Sequence, residues 1–155
     1  SNSSLVSYTR ISPNSNSPRN HKIDTITNHC YTAQASVEDM GNWLCNPSAE
    51  ASANYGIGTD GRIGLFVPEG DRSWCSSSAS TIIEQSRSNA RAIEPIRMRL
   101  TVSYNSLIAL CVDICRRNGI RELKWRADKS LIGQVDKQNM TVHRWFKNKA
   151  CPGEY

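Results

Sequence analysis

No run of about twenty apolar residues occurs in the 155-residue sequence, so no segment reads as a membrane-spanning helix. The first twenty residues, rich in Ser, Asn and Pro, lack the apolar stretch of a secretory signal. Synthesis in a cytoplasm is therefore expected. The six cysteines are too few and too scattered to frame a disulfide scaffold at this length. Reduced thiols, with one or more on a metal, are the reading instead. Internal repeats and low-complexity tracts are missing. Histidine is scarce, with three in all: His21, His29 and His143. Acids are outnumbered, 14 against 19 Lys and Arg, for a net charge of +5. That balance suits a polyanionic setting such as nucleic acid, an anionic membrane face or a wall polymer, and equally suits plain solubility. The bases are dispersed. Their densest stretch, "CRRNGIRELKWRADK" (115–129), carries no nucleic-acid motif and begins like a helix C-terminus, where cations complement the dipole.

What is present is enough for one domain with its own core. Residues 1–21 read as an extended arm on the surface of a domain spanning 22–155. "HKIDTITNHC" (21–30) alternates and predicts a strand ending near His29. "SVEDMGNWLC" (36–45) predicts a short helix with Ser36 as its N-cap and acids in the first turn. "ANYGIGTDGRIGLFV" (53–67) predicts two strands around Asp60-Gly61, a strong hairpin signal. "DRSWCSSSAS" (71–80) reads as a loop and "TIIEQ" (81–85) as a short buried strand. Pro95 argues for a loop or sheet edge across "ARAIEPIRMRLTV". "SYNSLIALCVDICRRNG" (103–119) is the clearest helix, with Ser103 as its cap. Leu107, Ile108, Leu110, Cys111, Ile114 and Cys115 form its apolar stripe, and Gly119 ends it. Cys111 and Cys115 read as core residues of that stripe. "RELKW" (121–125) predicts a strand, and the polar run after it a long loop. Strands interleaved with one strong helix predict an α/β fold, a mixed central β-sheet flanked by helices.

The chain closes on "TVHRWFKNKACPGEY", in which Cys151 follows His143 by eight residues. A buried histidine and an unrelated thiol would give the same letters. The other reading is zinc. A catalytic zinc takes three protein ligands and keeps a position for water, and mixtures of Cys and His suit this borderline-soft ion. His29, at the end of a β-rich run, could meet a later segment across a sheet.

"MTVHRWFKNKACPGEY" resembles the C-terminal zinc motif of the N-acetylmuramoyl-L-alanine amidases of phage endolysins, which share their fold with peptidoglycan recognition proteins. "TITNHC" resembles the family's first-strand motif. "SANYGIGTDGRIGLFVPEGDRSWCSS" resembles its central hairpin with the loop that follows, and "LIALCVDICRRNGI" its long helix. The resemblance covers residues 22 to 155. It implies Zn2+ held by His29, His143 and Cys151, and hydrolysis of the amide between N-acetylmuramic acid and L-alanine in peptidoglycan. It further implies Lys149 as stabiliser of the oxyanion and Tyr55 as a residue of the cleft. The expected partner is the muropeptide substrate, with no nucleic acid and no membrane insertion, and the expected state is a monomer acting on the bacterial cell wall.

The chain departs from the family in two places. The family strand reading roughly Ala-Ile-Thr-Ile-Glu-Val, whose Glu serves as general base, has no counterpart string here. Glu84 of "TIIEQ" is the preferred substitute, because it follows an apolar pair; Glu94 of "RAIEP" is the other choice. Asn28 stands where the family strand is apolar. The alternative reading is a peptidoglycan-binding module of the same fold without catalysis.

Overall fold

A computed structural model describes residues 1–31, 34–74, 81–86, 94–142 and 145, with 30, 31, 81–86 and 94–101 described by their backbone only. The core of the molecule is a six-stranded mixed sheet. Its strands are β1 (Tyr8–Thr9), β3 (Ile26–Tyr31), β4 (Tyr55–Ile57), β5 (Ile63–Leu65), β7 (Thr81–Ser86) and β8 (Met140–Val142). They lie in the order β1-β5-β4-β7-β3-β8. Two more strands, β2 (Ser15–Asn16) and β6 (Arg72–Ser73), pair antiparallel beside it. The N-terminal arm is thus woven into the structure, with Tyr8 and Thr9 running parallel to β5 at the sheet edge.

Local signals explain the first helix and the hairpin. Helix α1 (Val37–Leu44) starts at Ser36 with a reciprocal capping box: the Asp39 amide donates to Ser36 Oγ at 3.1 Å, and the Ser36 amide donates to Asp39 Oδ2 at 3.2 Å. β4 and β5 pair antiparallel, and Gly61 in their turn has φ +82, which a glycine adopts without strain. Gly56 and its Cα partner Gly64 serve a different end. A Cβ on either would come within 2.7 and 2.8 Å of the Phe66 ring, so their bareness is what lets Phe66 lie against the sheet.

Two apolar layers sandwich the sheet. On one face α1 packs through Val37, Met40 and Leu44 around Phe66. On the other lies α2 (Glu94–Arg117), whose Leu107, Leu110, Cys111, Ile114 and Cys115 meet Ile26, Tyr55 and Ile57. Side chains alternate along a strand, so Tyr55 and Ile57 face α2 while Gly56 faces the α1 side.

Three local expectations are corrected. Helix α2 begins at Glu94, not at Ser103, with Pro95 in its first turn, where a missing N–H costs nothing. Ser103 is therefore interior to the helix, and its buried hydroxyl has no partner. Ile108 lies on the outer face of the helix rather than in the core stripe. "RELKW" forms no strand. The buried amide of Asn139 binds its backbone at Glu122 and Lys124, and Gln138 binds the residues just after it, in place of a ladder.

Asn28 has a cost that the structure locates. It shares the α2-facing side of β3 with Ile26, and its Oδ1 is buried without a hydrogen-bond partner among the described residues. An unsatisfied buried acceptor costs about 1–3 kcal/mol, whereas an apolar group of similar shape does not. Asn28→Leu is expected to stabilise the fold by about 1 kcal/mol, raising Tm by roughly 2–4 °C for a chain of this size. A thermal melt checks this, and a lower Tm would mean that the amide is satisfied after all.

Candidate active site

β4, β7, β3 and β8 run parallel to one another, so their carboxyl ends share one edge of the sheet. In open α/β sheets that edge is where ligands bind. His29 is the fourth of six residues in β3, and its Cα partner on β7 is Glu84. Glu84 in turn partners Gly56 on β4, so Gly56, Glu84 and His29 form one row across three strands. β8 lies on the other side of β3, with Val142 opposite Asn28. His143 is the next residue in the sequence. His143, Lys149 and Cys151 lie outside the described residues.

Strand alternation decides which side of the sheet the row serves. Ile26 packs on α2, so His29, three residues on, faces away from α2. Thr27 faces the same way, and its hydroxyl meets that of Thr141 on β8 at 2.6 Å. Tyr55 is placed differently from the sequence-based expectation. It is 0% exposed and packs in the α2-side core, on the opposite face from the Gly56–Glu84–His29 row. Its hydroxyl donates to Glu69 Oε1 at 2.6 Å and accepts the Ser3 amide at 2.9 Å. Burial and the neighbouring Glu69 carboxylate raise its pKa, so it stays a neutral phenol. In this structure Tyr55 is thus a core residue on the α2 side of the sheet. Glu94 opens α2 and is not part of the strand row.

The chemistry of the donors bears on zinc. Among the described residues no three His, Cys, Asp or Glu side chains cluster closely enough to hold a metal. The described free thiols are Cys45, Cys111 and Cys115. Burial raises the pKa of all three, Cys111 to about 12, the wrong direction for a thiolate ligand. Cys111 and Cys115 are the core residues they were expected to be. A donor set of two imidazoles and one thiolate, His29, His143 and Cys151, has the composition of a catalytic zinc site.

Two features were missed at the sequence level. One is the buried pair Glu69–Arg117 beneath Tyr55. Arg117 Nη2 donates to Glu69 Oε1 at 2.6 Å and Nη1 to Oε2 at 2.9 Å. A polar pair so distant in sequence leaves no local signal. The other is an exposed tryptophan, Trp125, stacked on Trp145; it closes "RELKW", the expected strand.

This arrangement, a mixed sheet between helices, is that of an α/β protein of the amidase and peptidoglycan recognition fold. The chain belongs to the N-acetylmuramoyl-L-alanine amidase family, whose model matches residues 19–154. Among curated protein sequences none matches significantly. Solved structures share the fold at low identity. Wild-type PGRP-LB of Drosophila aligns with a TM-score of 0.64 at 12% identity, covering 94% of this chain and 86% of that one. An E90A mutant of PlyL gives 0.60 at 14%, with 94% and 86% covered. AmpD, as a selenomethionine derivative, gives 0.58 at 17%, with 97% and 89% covered.

Proposed function

We propose that the chain is a zinc-dependent amidase of the phage-endolysin type, hydrolysing the bond between the lactyl carbonyl of N-acetylmuramic acid and the amine of L-alanine. The observation that carries the reading is the register of His29 with Glu84 on adjacent parallel strands, in a chain of the amidase family. His29, His143 and Cys151 would hold the zinc. When bound, the ion supplies a polarised carbonyl and a water that is nucleophilic near neutral pH. Glu84 takes the proton of the attacking water and returns it to the leaving alanine nitrogen as the C–N bond breaks. The Lys149 ammonium faces the negative charge that develops on the carbonyl oxygen.

Zinc is expected at one per chain. Cys151→Ser should lose most of it together with wall lysis, because the thiolate is the strongest donor of the three. Full zinc in that variant, read by elemental analysis, would remove Cys151 from the ligand set. Zinc with wall binding but without lysis in the unaltered chain would favour the binding-module reading.

Lys149→Met is expected to keep fold and zinc and to lower kcat by about 10²–10³, the usual loss for one oxyanion donor. A group that only grips the anionic wall would instead raise KM, and added salt would mimic its removal. Steady-state kinetics on a soluble muropeptide at two salt concentrations separate these roles, and an unchanged kcat excludes the catalytic one.

A further inference from the structure

Tryptophan is a costly residue to leave in water, since its large apolar area is mostly buried in folded proteins. Trp125 is nonetheless 45% exposed. Its ring stacks on that of Trp145, with centroids 5.2 Å apart and planes 7° from parallel. With one indole face against Trp145, the remaining exposure belongs to the outward face and edge.

The loop beneath is held with unusual care. Asn139, 5% exposed, accepts the Lys124 amide at 2.7 Å and donates to the Glu122 carbonyl at 2.8 Å. Gln138, 1% exposed, accepts the amides of Arg126 and Asp128 at 3.0 and 3.3 Å and donates to the Asp128 carbonyl at 2.9 Å. Two buried carboxamides thus fix the backbone on both sides of Trp125 while its ring projects outward. A pinned loop presenting a backed aromatic face is preorganised for a flat ligand, because little freedom remains to be lost on binding. Arg126, the next residue, is exposed, as are Arg121 and Lys129, four residues to either side of Trp125.

We propose that Trp125, backed by Trp145, is a stacking platform for a pyranose ring of the wall glycan strand. The apolar C–H face of a hexopyranose matches the electron-rich indole face, and its hydroxyl and acetamido oxygens accept from the flanking guanidinium. The choice of a sugar over a nucleobase, which would also stack here, rests on the amidase reading. Muramic acid is joined directly to the amide to be cut, so a sugar must lie within a few bonds of the reacting carbonyl. Trp145 follows the candidate ligand His143 by two residues.

The test uses peptide-free glycan strands of alternating N-acetylglucosamine and N-acetylmuramic acid, with a single-stranded DNA 12-mer as the competing ligand. Binding is followed through the indole N–H resonances. The expected result is saturable glycan binding that shifts Trp125, is weakened on the order of tenfold in Trp125→Ala, and is largely kept in Trp125→Phe. KM for a glycan-linked muropeptide should rise by a similar factor in Trp125→Ala, with kcat unchanged. Equal glycan affinity in Trp125→Ala and the unaltered chain would overturn the platform while leaving the amidase reading intact. So would Trp125-dependent binding of the DNA without binding of the glycan. Glycan binding through Trp125 in a zinc-loaded chain that hydrolyses nothing would keep the platform and remove the amidase.

Discussion

Glu84→Gln is expected to lower kcat by about 10²–10⁴ while leaving the zinc content and the melting temperature close to unchanged. The size follows from the role. A general base removes the proton from water as the carbonyl is attacked, and a carboxamide of nearly the same shape cannot accept it. The place follows from the sheet. β7 is an interior strand with β4 on one side and β3 on the other, and residues partnered on neighbouring strands lie about 5 Å apart. Glu84 and His29 are such a pair, so the carboxylate is rooted beside a candidate zinc ligand. The acid limb of the kcat/KM profile should also flatten in the variant, because the group whose deprotonation it reports is gone. If Glu94→Gln reproduced the loss and Glu84→Gln did not, the base would belong to the start of α2 and the strand row would have no catalytic meaning.

Arg117→Ala is expected to destabilise the fold by about 2–4 kcal/mol, read as a lower urea midpoint at unchanged m-value. Glu69 is 4% exposed and relies on the bidentate guanidinium, with the Tyr55 hydroxyl and Asn118 as its other donors. Removing Arg117 strands a buried carboxylate, which costs more than the pair contributes when intact. The guanidinium is itself partly exposed, which keeps the estimate below the range for fully buried pairs. Arg117 also donates to Asp113 Oδ2 at 2.9 Å and to the Ser1 carbonyl, so the same change removes one tie between the first residue and α2. Arg117→Met combined with Glu69→Gln should recover part of the loss, because the buried carboxylate of Glu69 is then gone. Strict additivity of the two single changes would show that the pair does not act as a unit.

Where physics is local, the sequence could be read directly. Ser36 with Asp39 announced α1, and Asp60-Gly61 announced the β4–β5 hairpin, because caps and tight turns depend on residues three or four apart. "TIIEQ" read correctly as a buried strand. Pro95 misled, because a proline excluded from a strand is equally at home in the first turn of a helix. The layer in which Tyr55 packs was not legible either. Whether a strand residue faces one layer or the other is set by register and by which helix packs where, and the letters "NYGIG" carry neither. The backbone of 122–128 forms no strand, because two amide side chains ten or more residues away take up its hydrogen bonds. Of the candidate site, the histidine and the carboxylate could be chosen from the chain alone. Their shared row required the pairing of β3 with β7, fifty-five residues apart at that point.

The bond that is cut tests the central claim most directly. Purified cell walls treated with the zinc-loaded chain, then labelled at free amines and hydrolysed, are expected to show new N-terminal L-alanine rising as turbidity falls. No new reducing ends should appear, a chelator should stop the release, and added zinc should restore it. New reducing sugars, new termini at other stem residues, or no L-alanine released by a chain that holds its zinc would contradict an amidase.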